Sequence, residues 1–161
     1  AVQHIYQALF HTPKVLNAPA EKGNRLGEVR GQVVGGNLCM LNHLIGTAND
    51  IDTRGKILFI EEVGEVAYAI DRLLLQCQRA GKFANIAGLL VGNMDIDSAK
   101  QNDFGLSLFQ MVLEKVPAHI PVGFSFPVGH IPRNLAIPCG RHARLTIDTQ
   151  GTILEFDTEV A

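Results

Sequence analysis

Three short apolar runs separated by helical patterns constrain this chain more than any other feature of its sequence. Lys56-Ile-Leu-Phe-Ile60 is continuous in apolar, β-branched and aromatic residues, with Gly55 before it and Glu61-Glu62 behind. A strand with one wet face would alternate, so an unbroken run predicts a strand covered on both faces. After Gly64, residues Val66, Ile70, Leu73, Leu74 and Cys77 recur at helical spacing, while Asp71, Arg72, Gln76 and Arg79 face away and Gly81 supplies the stop. Ile86 to Val91 repeats the apolar run, Leu106 to Val116 reads as a second helix, and Pro121 to Phe126 as a third strand. Strand, helix, strand, helix, strand is βαβ wiring, which makes these three strands parallel.

The flanks have a different character. Ala1 to Phe10 places Val2, Ile5 and Leu9 at helical spacing and stops near Pro13. Thr12 to Gly27 mixes prolines, asparagines, glycines and charge, the composition of a crossing linker rather than a packed element. Glu28 to Val34 reads as a short strand running into a Gly35-Gly36-Asn37 turn, from which Asn37 caps a helix over Leu38 to Ile45. Beyond Gly129, Asn134 to Pro138, Arg144 to Asp148 and Thr152 to Phe156 are strand candidates, the last two flanking a turn-like Thr149-Gln150-Gly151. The expected fold class is therefore α/β: a three-stranded parallel βαβ core with an appended antiparallel β section. Residues 1–27 are read as a helix and linker reaching from another domain on the N-terminal side, and residues 28–161 as the domain proper.

The 161 residues suit one core of ordinary size, and a 47% hydrophobic, 19% charged composition excludes bulk disorder. A net charge of −2 lacks the basic excess that phosphate backbones attract, so nucleic acid is not an expected partner. No apolar run approaches the roughly 18 residues of a membrane span, and the N-terminus lacks the layout of a signal peptide. Three well-separated cysteines, Cys39, Cys77 and Cys139, without C-x-x-C spacing, fit reduced thiols in a cytoplasmic protein. His4, His11, His43, His119 and His142 form no pair at i, i+4 spacing with further ligands nearby, so no metal site is expected.

Ligands of parallel α/β sheets gather beyond the carboxyl ends of the strands. Three segments fall there: Glu61-Glu62, Gly92-Asn93-Met94-Asp95 and Pro127-Val128-Gly129-His130. A carboxylate beside an imidazole orients the ring and stabilises its cation while the other ring nitrogen acts as a base, so Glu61 or Glu62 with His130 is a candidate pair. A base also needs a nucleophile. Gly123-Phe124-Ser125-Phe126-Pro127 lacks the last glycine of a G-x-S-x-G elbow and is followed by proline instead of a helix, which leaves Ser125 a poor candidate.

In order along the chain, Val34-Gly-Gly-Asn-Leu38, Leu44-Ile-Gly-Thr47, Gly55-Lys-Ile-Leu-Phe-Ile-Glu-Glu62, Ala69-Ile-Asp-Arg-Leu-Leu74 and Gly129-His130 resemble the C-terminal domain of the LD-carboxypeptidase family of serine peptidases. The resemblance runs from about Arg30 to about Ala143. It implies a Ser-Glu-His triad split between two domains, with serine and oxyanion hole in an N-terminal domain outside this sequence. The family's glutamate falls on Glu61 and its histidine on His130, with Glu62 one position away. It also implies hydrolysis of an L-to-D peptide bond in cytoplasmic, cell-wall-derived muropeptides, without a cofactor, and, since the family often forms dimers, a homodimer as one expectation. Alone, the 161 residues are then expected to be inactive. The competing expectations are a non-catalytic α/β module binding a small molecule at the strand ends, and a stand-alone hydrolase using Ser125.

Overall fold

The computed structural model describes residues 2–10, 15–96 and 105–157. In chain order the elements are α1 (Val2–Phe10), β1 (Val15–Pro19), β2 (Gly27–Asn37), α2 (Leu38–Leu44), β3 (Ile57–Glu65), α3 (Ala67–Arg79), β4 (Gly88–Ile96), α4 (Leu108–Leu113), β5 (Val122–Gly123), β6 (His142–Ile147) and β7 (Gly151–Phe156). The strands form one sheet in the order β1-β7-β6-β2-β3-β4-β5. The fold is α/β: β2, β3, β4 and β5 are mutually parallel, and β1, β7, β6 and the first half of β2 pair antiparallel.

The parallel part has a fourth strand beyond the three expected, because β2 runs straight through the glycines read as a turn. Its Gly27–Gln32 half pairs with β6 and its Val33–Asn37 half with β3. Gly35 explains the continuation: a Cβ there would sit 1.9 Å from the Phe59 carbonyl oxygen, so only glycine lets the two backbones approach. The reading of Thr12 to Gly27 as linker gives way over Val15–Pro19, which alternates exposed and buried residues and pairs with β7. Its tolerance of Pro19 follows from its position at the sheet edge. Asn134 to Pro138, expected as a strand, takes no strand or helix conformation; Leu135 is buried there and the segment serves as a brace described below. The helix placed at Leu106 to Val116 is confined to Leu108–Leu113, since Ser107 and Gln110 form a capping box that sets its start.

Ile57, Leu58, Phe59 and Ile60 are all buried because the sheet is covered twice. One face carries Leu58, Ile60, Leu89 and Val91 against α2, α3 and α4, with Ile70, Leu74, Met111 and Val112 as the helical contribution. The other face carries Val33, Ile57, Phe59 and Leu90 against Leu145, Ile147, Leu154 and Phe156 of β6 and β7. The sheet thus curls until its antiparallel section covers its parallel section. Gly88 and Gly123 mark the closest approach, since a Cβ at either would meet Leu145 or Thr152 at 2.9 Å.

The stripe of α3 is offset from expectation. Ala67, Ala69, Ile70, Leu74 and Cys77 are buried, whereas Val66 caps the helix and Leu73 is only partly covered.

Candidate active site at the carboxyl edge of the sheet

Parallel wiring brings the ends of β2, β3 and β4 to one edge, where Asn37 stands opposite Glu61 in the β2–β3 register. Strand side chains alternate, so Glu61 and Glu62 leave β3 on opposite faces. Glu61 turns toward the loop that follows β5: its Oε2 lies 3.1 Å from His130 Nδ1. Glu62 turns toward α2. Its Oε1 accepts from Asn37 Nδ2 at 2.8 Å and from its neighbour's backbone, Val63 N, at 3.0 Å, and its Oε2 accepts from Cys39 N at 2.8 Å. Asn37 completes the knot by capping α2, its Oδ1 accepting from Met40 N.

The approach of His130 depends on a distortion of β4. Ile60 pairs with Val91 but Glu62 pairs with Met94, so Gly92 and Asn93 together stand opposite Glu61. This is a β-bulge. It leaves Asn93 N–H out of the ladder, and that group donates to Val128 O at 2.8 Å, drawing the Pro127–His130 loop against β4. Gly92 leaves the space: a Cβ there would meet Val128 O at 2.5 Å and Glu61 Cβ at 3.3 Å. Gly129 leaves the rest, with φ +120° and a virtual Cβ 3.2 Å from Glu61 Oε2. Asn134 and Leu135 brace the loop from the far side, Asn134 Oδ1 accepting from Gly129 N and Leu135 N donating to Pro127 O.

The two partners are unequal in exposure. Glu61 is 8% exposed, whereas the His130 side chain is 60% exposed. An ionised carboxylate only accepts, so the bond assigns the proton of a neutral ring to Nδ1 and leaves the lone pair on Nε2. The result is an imidazole held at one nitrogen by a buried acid and open to a reacting partner at the other.

No nucleophile stands beside it among the described residues. Ser107 caps α4, and Ser125 donates its Oγ hydrogen to Glu21 Oε2 at 3.2 Å. Ser125 has φ +55°, yet no helix follows it as a nucleophile elbow requires. Ser98 lies outside the described residues. The thiols are no better placed, since burial raises the pKa of Cys39, Cys77 and Cys139, with Glu62 and Glu65 adding to the rise at Cys39; Cys77 is pushed up to about 11.

Two features escaped the sequence reading. The bulge at Gly92-Asn93 was invisible because periodicity reports faces, not pairing register. The anchoring of Glu62 was invisible for the same reason, although Asn37 was legible as a cap.

The pattern of the LD-carboxypeptidase C-terminal domain matches residues 30–145, and the chain belongs to that family. It is 36% identical over 130 residues to a probable murein peptide carboxypeptidase of Bacillus subtilis, covering 80% of this chain and 41% of that protein. Against the murein tetrapeptide carboxypeptidase of Pseudomonas aeruginosa it is 29% identical, covering 76% of this chain and 40% of the other. Among solved structures, the muramoyltetrapeptide carboxypeptidase from Oxalobacter formigenes superposes with a TM-score of 0.83 at 27% identity, over 99% of this chain and 55% of that one. The chain thus spans about half the length, or somewhat less, of the proteins it matches.

Proposed function

We propose that this chain is the C-terminal half of a serine LD-carboxypeptidase that hydrolyses an L-to-D peptide bond in cell-wall-derived tetrapeptides. The observation that carries the reading is the 3.1 Å contact between buried Glu61 Oε2 and His130 Nδ1, which leaves Nε2 as a base at an open edge. The serine and the oxyanion hole come from an N-terminal domain of the longer protein. Consistent with such a neighbour, α1 exposes Val2, Ile5, Leu9 and Phe10, an apolar surface of the kind another domain covers.

In this mechanism His130 Nε2 takes the serine proton as the hydroxyl oxygen attacks the scissile carbonyl, and Glu61 stabilises the imidazolium that results. The tetrahedral intermediate collapses with the C–N bond breaking, and His130 hands its proton to the departing D-residue amine. Water, deprotonated by the same nitrogen, then releases the acyl group and restores the serine. No cofactor takes part. No helix among the described residues is long and apolar enough to cross a membrane. The substrate in this proposal is a cytoplasmic muropeptide, and a homodimer is the assembly that the family resemblance implies.

The test is an assay of the full-length protein on an LD-linked tetrapeptide, with released D-residue resolved by chromatography. His130→Ala is expected to lower kcat by several orders of magnitude and Glu61→Gln by somewhat less. Wild-type rates in His130→Ala would overturn the proposal, and so would turnover by the isolated chain that Ser125→Ala abolishes.

A further inference from the structure

Glu62 is 3% exposed, carries a carboxylate that the proposed mechanism does not use, and spends both oxygens on holding other groups. A carboxylate so deeply buried is costly unless its lone pairs are satisfied, and here three N–H groups satisfy them. What those donors have in common is location. Asn37 ends β2 and is the register partner of Glu61, Cys39 lies in the first turn of α2, and Val63 follows on β3 itself. Glu62 therefore ties the β2–α2 junction to the β3 backbone one residue from Glu61, beside a β4 strand that is bulged and supplies no regular ladder at that point.

We propose that Glu62 is a positioning residue: by fixing the β2 end, the α2 start and the β3 backbone, it sets the direction in which Glu61 meets His130. This rests on the reading of Glu61 and His130 as the working pair. Glu62 touches neither the histidine nor, in this reading, the substrate. Its effect passes through the peptide units of Glu61 and Asn37. Displacing a catalytic group by about 1 Å costs on the order of 100-fold in rate, so a loosened β3 end is enough to be read kinetically.

The most direct readout is the tautomer of His130 in the full-length protein, measured by long-range ¹H–¹⁵N correlation with ¹⁵N-histidine and assigned by its absence in His130→Ala. A neutral imidazole free in water favours the proton on Nε2, whereas the bond to Glu61 puts it on Nδ1. Glu62→Ala and the milder Glu62→Gln are each expected to shift His130 toward the Nε2–H form and to lower kcat about 10- to 100-fold with little change in KM. Because Glu62→Ala could fail to fold, Glu62→Gln and the exchange Glu62→Gln with Asn37→Asp decide the matter. The exchange reverses donor and acceptor across the 2.8 Å Asn37–Glu62 bond, without restoring the Val63 N–H bond to that position, and is expected to recover part of the Nδ1–H form that Glu62→Gln loses. An unchanged tautomer in folded Glu62→Gln, or an exchange variant no better than Glu62→Gln, would sink the positioning role. A protein that cleaves no LD peptide yet shows the tautomer responding to Glu62 defeats the proposed function and leaves the positioning intact.

Discussion

At His130 the geometry is made by what its neighbours lack. Gly129 precedes it at φ +120°, and any Cβ there would lie 3.1 Å from Asn93 Cβ as well as against the Glu61 carboxylate. Gly129→Ala therefore combines a backbone strain of about 1–3 kcal/mol with a direct push on the acid of the pair. The expected outcome in the full-length protein is a kcat reduced about 100-fold, alongside a lowered unfolding midpoint. Kinetics indistinguishable from wild type would show that the loop absorbs the methyl without moving His130. The sequence made Gly129-His130 noticeable only as a dipeptide at a strand end, and it left Glu61 and Glu62 open as partners of the ring. Residue types and alternation establish that just one of two adjacent acids can face a given group. Which one depends on the side of β3 that α2 occupies, a long-range fact that local spacing does not encode.

Elements were legible where their signal is local and lost where it is made by pairing. The apolar run at Lys56 to Ile60 became β3 because burial on both faces leaves a composition that can be read directly. β1 was missed because five residues containing Asn17 and Pro19 carry no such composition, and β7 alone makes them a strand. The end of α4 was equally hidden: the Arg25 guanidinium donates to Pro117 O at 2.7 Å and Ile120 O at 3.1 Å, satisfying carbonyls just after the helix from 92 and 95 residues away. In α3 the period was right and its phase was slightly off, which yields a prediction. Leu74 is wholly buried between the helix and Leu58, Ile60 and Val91 of the sheet-side cluster, while Leu73 lines an open groove beside Cys39, Glu65 and Arg72. Leu74→Ala is expected to cost about 2–5 kcal/mol and Leu73→Ala less than about 2 kcal/mol in denaturant titrations. Equal losses would mean that the groove is closed in solution.

For the molecule as a whole, folding and activity separate along the same line. Both core clusters are complete within the described residues: the helices cover one face of β3 and β4, and the curled antiparallel section covers the other. A chain that satisfies its own sheet twice has the apolar complement to fold independently. Chemistry is different in the proposed mechanism, because a base and its orienting acid leave two needs unmet. Among the described residues no nucleophile stands beside His130, and an oxyanion without preorganised donors forgoes the largest stabilising contribution in acyl transfer. The isolated 161 residues are therefore expected to unfold cooperatively, with near-ultraviolet dichroism and denaturant midpoints reporting one transition, while releasing no D-residue from an LD tetrapeptide. Adding the proposed N-terminal domain as a separate chain is expected to restore measurable cleavage if α1 and the open edge at His130 form the contact between the halves, and that cleavage should vanish with His130→Ala. Cleavage by the isolated chain would contradict the division of labour. A purified chain without a cooperative transition would instead show that the second domain is required for the fold as well as for the chemistry.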